Sequence, residues 1–339
     1  MLEFEILGGP GRDNALFVRV DSGQALARLL FDCGQGCLIR LPRSESLDLD
    51  HIFFSHFHMD HIGGFDSLFR GNYNRHEPPM RVWGPAETIR ILHHRFRSYL
   101  WNLHEDQRGT WIAHQIGADA TEAARFELHE AFEILHPEPA PAKEGATILE
   151  TGEYSVEAYA MDHKTPSLAY VVREKARLNI DPAKLQAIGL PPGPWLAKVK
   201  DPAVQGEFEA AGQTWDFAKV RADLLTETPG ESIAYLTDFL MDDAARDRLR
   251  EPLRGVNFVV CEAQYRHEDL ELAQRHYHMT ARQAAEFAAE AGVGQLILFH
   301  LSDRYRPGEW LDMLKEARAA FPNTRFPEGW RERMTGRRR

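Results

Sequence analysis

Within six residues this chain places three imidazoles and a carboxylate: His56, His58, Asp60 and His61, in the run Ser55-His56-Phe57-His58-Met59-Asp60-His61-Ile62-Gly63-Gly64. Imidazole nitrogens and carboxylate oxygens suit zinc, and also manganese or iron once carboxylates join the set. His56 and His58 are two apart, so an extended backbone turns both to one side. Asp60 and His61 follow the turn, where they could serve a second ion.

The elements that must position these groups share one pattern. Ile52-Phe53-Phe54 is an apolar run that reads as a buried strand, and the His-rich run begins where it ends. Leu29-Leu30-Phe31 leads in the same way to Asp32-Cys33-Gly34-Gln35-Gly36. Tyr154 to Ala160 leads to His163, Ser232 to Leu236 to Asp238, Phe258 to Val260 to Glu262, and Gln295 to Phe299 to His300. Separate strands therefore deliver these groups to one rim. His278 differs, because it lies in a loop before a helix. Thr280 with Gln283 makes a capping box there, Ala284, Phe287, Ala288 and Ala291 share a face, and Gly292 ends the helix. A loop feeding a helix N-terminus suits phosphate.

Composition narrows the function classes. The net charge of −11, from 51 acidic and 40 basic residues, counts against a protein that binds nucleic acid over its whole surface. A local basic patch is compatible with it. Residues 173 to 200 are such a patch: Arg173, Lys175, Arg177, Lys184, Lys198 and Lys200 face only Glu174 and Asp181. A short helix is expected around Lys184. The end of the chain, with Arg337, Arg338 and Arg339, reads as a frayed basic tail. No apolar run reaches the ~20 residues of a membrane span, and Met1 to Leu7 alternates like a first strand rather than a leader. Three cysteines without a CxxC point to a reducing cytoplasm rather than a disulfide framework.

The His-rich run resembles the HxHxDH signature of the metallo-β-lactamase superfamily. From about Ile6 to Asn323 the chain is similar to one branch, the ribonuclease Z family of tRNA 3′-end processing enzymes. The resemblance implies an α/β fold, a four-layer αββα sandwich, here as a single domain over residues 1–339 with an inserted flexible arm at 173–200. It implies two divalent metal ions, most simply zinc, with manganese or iron as alternatives. His56, His58, His163 and Asp238 would hold one, and Asp60, His61, Asp238 and His300 the other. Asp32 would buttress the His-rich loop from beneath. A hydroxide between the ions would attack phosphorus, Asp60 would orient it, and His278 supported by Glu262 would stabilise the transition state or protonate the leaving oxygen.

The same resemblance assigns Lys184, Lys198 and Lys200 of the arm to clamping precursor tRNA, and Arg304 to a phosphate. It also implies a homodimer in which one arm serves the other subunit. Two departures stand out. The chain has Cys261-Glu262-Ala263-Gln264 where the family usually has His-Glu-Ala-Thr, and His278-Met279-Thr280 where it usually has His-Ser-Thr. These departures and the acidic balance favour a second class, a metallohydrolase acting on small phosphodiesters or other esters. A relative that binds RNA or protein without catalysis is a third class, against which the intact ligand set argues.

Overall fold

Strands buried on both faces read as unbroken apolar runs, and Leu29-Leu30-Phe31, Ile52-Phe53-Phe54 and Leu296-Ile297-Leu298-Phe299 form the middle of this protein. The structure is a computed structural model that describes residues 1–335 apart from Gln24 and Pro202. The Arg337 to Arg339 tail lies outside the described residues.

The first sheet has eight strands lying side by side in chain order: Leu2–Gly8, Asn14–Asp21, Leu26–Phe31, His51–Phe53, Met80–Gly84, Thr110–Ile116, Thr121–Glu127 and His136–Glu138. The second has seven, in the spatial order Thr324–Arg325, Gln295–Phe299, Phe258–Glu262, Ser232–Leu236, Pro166–Glu174, Tyr154–Asp162 and Thr147–Glu150. Their facing sides share one core. Phe31 and Phe53 each meet Tyr170 at 5.5 Å between ring centroids, and Phe31 meets Tyr235 at 5.9 Å. Helices Phe65–Asn72 and Thr88–Phe96 cover the outer face of the first sheet, where Phe65, Phe69 and Phe96 pack on Trp111. Helices Asp243–Leu253, Ala281–Ala291 and Pro307–Ala320 cover the second. This is the expected four-layer αββα sandwich. The capping box of Thr280 and Gln283 and the left-handed Gly292 bound their helix as the sequence predicts.

Register brings the candidate groups together. Leu26–Phe31, His51–Phe53 and Met80–Gly84 run parallel, with Phe31 beside Phe53 and Phe53 beside Trp83. Asp32 and Ser55 consequently leave the sheet side by side. In the second sheet Leu236 pairs in parallel with Cys261, and Cys261 with Leu298. Asp238, Glu262 and His300 therefore emerge at one end. Asp32, Asp238 and His300 all have positive φ, at 59°, 53° and 50°. Non-glycine residues in this region carry backbone strain, which tends to gather at functional sites.

Residues Lys175–Gly230 form a second compact unit. The sequence reading ended the insertion at 200, whereas this unit runs to Gly230. Arg173, counted above with the arm, lies in the strand Pro166–Glu174 of the main sheet and pairs with Glu157 at 3.0 Å. Within the unit, Arg177–Ile180 pairs with Leu225–Thr228, and Glu207–Ala210 forms a hairpin with Gln213–Asp216 over Ala211 and Gly212. Positive φ at both turn residues, 53° and 73°, matches the twist of a two-residue hairpin. Asp181 and Asp216 cap the helices Pro182–Ala187 and Phe217–Leu224. With a third helix, Trp195–Lys200, they enclose a small core of Val199, Phe217, Val220 and Leu224.

No helix of the described residues is long and apolar enough to cross a membrane. Cys33, Cys37 and Cys261 are free and buried.

Candidate metal centre

Two sets of donors meet at Asp238. His56, His58, His163 and Asp238 offer ligand atoms that all lie within 4.8 Å of one another, and so do Asp60, His61, Asp238 and His300. The two oxygens of Asp238 divide between the sets. Oδ2 is 3.7 Å from His56 Nε2 and 3.5 Å from His163 Nε2. Oδ1 is 3.4 Å from His61 Nε2 and 3.4 Å from His300 Nδ1. Asp60 Oδ2 lies 3.4 Å from both His61 Nε2 and His300 Nε2.

These gaps are long for hydrogen bonds, yet they match donors sharing an ion. Atoms 2.0–2.2 Å from one tetrahedral cation stand about 3.3–3.6 Å apart. His56 Nε2 and His61 Nε2 are also buried with no hydrogen-bond partner. Such orphaned nitrogens are costly unless something electron-deficient lies between them. The donor set therefore fits divalent cations.

The ring orientations are fixed from behind. Asp32 is fully buried and accepts from Ser55 N at 2.7 Å, Ser55 Oγ at 2.7 Å and Tyr235 Oη at 2.9 Å. It also holds His61 Nδ1 at 2.7 Å, which places the lone pair of Nε2 toward the site. His163 donates Nδ1–H to the carbonyl of Tyr277 at 2.8 Å, with the same result for its Nε2. Burial holds His56 well below the usual imidazole range. Burial also opposes charge on Asp238, but the neighbouring His300 and His61 outweigh it and keep the carboxylate ionised.

A third overlapping group, Asp238, Glu262, His278 and His300, is also close enough to bind an ion. Its contacts argue for a different job. Glu262 accepts from His278 Nδ1 at 2.9 Å and from Met279 N at 3.1 Å, so protein donors already satisfy it. Burial disfavours the charged form of His278, but the Glu262 carboxylate outweighs burial and raises its proton affinity. Glu262 and His278 form a hydrogen-bonded carboxylate–imidazole pair beside the two donor sets.

A profile of the beta-lactamase superfamily domain matches residues 27–178 and 215–301. A ribonuclease Z from Deinococcus radiodurans is 48% identical over 330 residues, covering 97% of this chain and 99% of that protein. The chain belongs to the ribonuclease Z family. A second ribonuclease Z, from Parasynechococcus marenigrum, is 32% identical over 87% of this chain and 84% of its own length. Among solved structures, the short form of human tRNase Z superposes with a TM-score of 0.53 at 16% identity over 97% of both chains. The metallo-beta-lactamase fold protein YhfI from Bacillus subtilis gives 0.55 at 16%, over 96% of both. These two likenesses concern the fold.

In this family member the departures from the usual motifs meet each other. Cys261 Sγ and Met279 Sδ lie 3.4 Å apart, both buried behind the Glu262–His278 pair. Gln264 Nε2 reaches His300 Nδ1 at 3.3 Å. Arg304 is exposed and sits over the ring of Tyr265, 5.3 Å from its centroid. Lys184 and Lys198 are exposed on the inserted unit and Lys200 is half-buried. Ser55, Tyr235 and Tyr170 received no role from sequence. The hydroxyl of Tyr170 donates to Phe54 O at 2.7 Å, which steadies the chain entering the His-rich run. The signal available was a pair of tyrosines in apolar strands, since a buried phenol needs a partner.

Proposed function

We propose that this protein is a dinuclear metal phosphodiesterase that cleaves precursor tRNA at its 3′ side. The observation that carries the reading is the division of Asp238 between two complete donor sets, with the Glu262–His278 pair beside them. Family membership supplies the substrate class: the curated relatives above are named ribonuclease Z. His56, His58 and His163 would hold one cation, Asp60, His61 and His300 the other, and Asp238 both. Two such ions, zinc being the simplest choice for this donor set, supply a water-derived nucleophile near neutral pH and Lewis-acid polarisation of the phosphoryl group.

The chain's own residues do the rest. Asp60 has a half-exposed carboxylate, so it can orient the attacking water and accept its proton. Glu262 pins Nδ1 of His278, which leaves Nε2 to donate a proton to the leaving oxygen as the P–O bond breaks. Arg304 would meet a phosphate. The unit Lys175–Gly230, through Lys184, Lys198 and Lys200, would hold the RNA body away from the cut, as a clamp whose contacts read no sequence. A homodimer in which each unit serves the other copy completes the proposal, on the strength of the resemblance alone. A reducing cytoplasm suits the three free cysteines.

The test is direct. Purified protein supplied with zinc or manganese should cut precursor tRNA once, at the 3′ side of the acceptor stem. Turnover of bis(p-nitrophenyl) phosphate without any cleavage of precursor tRNA, even at low salt, would favour the small-diester class instead.

A further inference from the structure

Many surface arginines of this molecule are paired with an acid: Arg28 with Glu45 at 2.6 Å, Arg95 with Asp66 at 3.0 Å and Arg246 with Glu290 at 2.9 Å, for example. Three exposed cations beside the metal centre are not. Among the described residues Lys164, Arg275 and Arg304 take part in no ion pair. Aromatic faces hold two of them. Lys164 Nζ lies 4.6 Å from the centroid of Tyr277, and the guanidinium of Arg304 lies 5.3 Å from that of Tyr265. Lys164 Nζ also donates to the backbone carbonyl of Arg275 at 3.4 Å, which places Lys164 beside the Arg275 backbone. A cation resting on a π-face keeps its full charge and most of its donors, whereas one paired with a carboxylate spends both.

The placement ties the group to the chemistry. Lys164 follows His163, and its left-handed φ of 58° turns it out of the hairpin between Tyr154–Asp162 and Pro166–Glu174. Tyr277, at φ 60°, precedes His278 and accepts the Nδ1–H of His163. Tyr265 lies 5.9 Å from the ring of His278 and holds His276 Nδ1 through its hydroxyl at 2.7 Å. The positive fields of Arg304, Arg275 and Lys164 all reach His276. The three cations thus gather around the segment from Tyr265 to His278, in a chain of net charge −11.

We propose that Lys164, Arg275 and Arg304 form a second phosphate subsite, which holds the phosphodiester adjacent to the scissile one on the same RNA strand. The inference rests on the phosphodiesterase reading above and adds that the centre grips at least two consecutive phosphates. Such a subsite rewards an oligonucleotide over an isolated diester through charge-assisted contacts, without reading any base.

Three dinucleotides test it: one unphosphorylated, one with a 5′-phosphate and one with a 3′-phosphate. One phosphorylated form should show kcat/KM about tenfold above the unphosphorylated form, the size expected of a charged hydrogen-bonded contact. The form preferred identifies on which side of the cut the subsite lies. Lys164→Met, Arg275→Met and Arg304→Met should each move that ratio toward one, and Lys164→Arg should keep it. Equal rates on all three substrates in the wild type would overturn the subsite and leave the phosphodiesterase reading intact. So would a ratio that survives in all three methionine variants. Absence of hydrolysis of any diester, bis(p-nitrophenyl) phosphate included, would overturn the reading and the subsite together.

Discussion

At the metal rim, side chains from the ends of both sheets converge on one buried carboxylate, Asp238, and are oriented by a further layer of buried hydrogen bonds. Residues Lys175–Gly230 are built the other way. Among the described residues they enclose a core of four buried side chains, and none of the chain's 16 histidines lies within 175–230. The unit also carries seven basic and seven acidic residues, so the excess of positive charge up to residue 200 is cancelled by the acids after it. Its cations are partly employed at home: Arg221 donates to the carbonyls of Val199, Asp201 and Val204, and Lys184 reaches Thr226. Chemistry in this protein depends on strand register, whereas any grip by the unit depends on where a few exposed lysines sit.

The sharpest cut between the two regions is at Asp238. Because its oxygens face both donor sets, Asp238→Ala should strip metal from both and lower turnover by about 10³-fold or more, since several kcal/mol of charge stabilisation go with the ions. Elemental analysis with initial rates on bis(p-nitrophenyl) phosphate checks this. Retention of one full metal equivalent would show that Asp238 does not bridge. His278→Ala removes a proton donor and no proposed ligand. It should cost about 10²-fold to 10⁴-fold in turnover with the metal content unchanged. Metal loss in that variant would move His278 into the ligand set.

The rim was legible because each candidate ligand follows an apolar run, and a strand delivers its final side chains to a fixed edge. His56, His58, His163, Asp238 and His300 could be placed from that rule with the family pattern. Asp32 entered through the resemblance, but the residues that hold it did not. Asp32 meets Tyr235 across the two sheets, a contact 203 residues apart in sequence, and strand patterning says nothing of pairing between sheets. The strands Thr110–Ile116 and Thr121–Glu127 were missed as well, because His114, Gln115 and Arg125 interrupt their apolar pattern. His114 is in fact buried, stacked on Trp83 at 3.8 Å between centroids. The far boundary of the inserted unit was missed for a different reason. The resemblance ended the arm at 200, after Lys198 and Lys200, whereas the partner strand that closes the unit, Leu225–Thr228, comes later.

Acid should separate the two regions. Burial pushes His114 and His51 down to about 3 in the folded rim-bearing domain, against an ordinary imidazole value of 6.5. Depressed values mean that the unfolded chain binds the protons first. The stability these groups contribute is therefore complete above about pH 6.5 and is lost as pH falls toward 3. By pH 5 the loss at His114 alone is about 2 kcal/mol. His114→Phe keeps the stack on Trp83 and removes the titration. Urea midpoints at pH 7 and pH 5 should then differ less for His114→Phe than for the wild type. Equal differences would mean that His114 is hydrated or paired in the folded state. Segment-resolved hydrogen exchange adds the contrast, because acid loosening through histidine has no target within 175–230.

The finest test concerns the unit itself. Its outer strands Arg177–Ile180 and Leu225–Thr228 are paired, and Glu174 N donates to Glu231 O at 2.8 Å in the main domain. The chain thus leaves and re-enters the sandwich at neighbouring points, so residues 175–230 can be excised with a short linker across the gap. Excision should raise KM for precursor tRNA about tenfold, a contact-scale loss, and leave kcat on bis(p-nitrophenyl) phosphate near wild type. A milder variant distinguishes charge from bulk. If Lys184, Lys198 and Lys200 each meet a phosphate, neutralising all three should reduce the slope of log affinity against log salt by roughly 0.7–0.9 per lysine. The slope that remains would come from the other cations of the chain, Lys175, Arg177, Lys219 and Arg221 of the unit among them. A slope unaffected by the triple change, with KM still raised by excision, would leave shape rather than charge as the basis of the clamp. If excision harmed both substrates equally, the unit would be a support of the fold and no clamp.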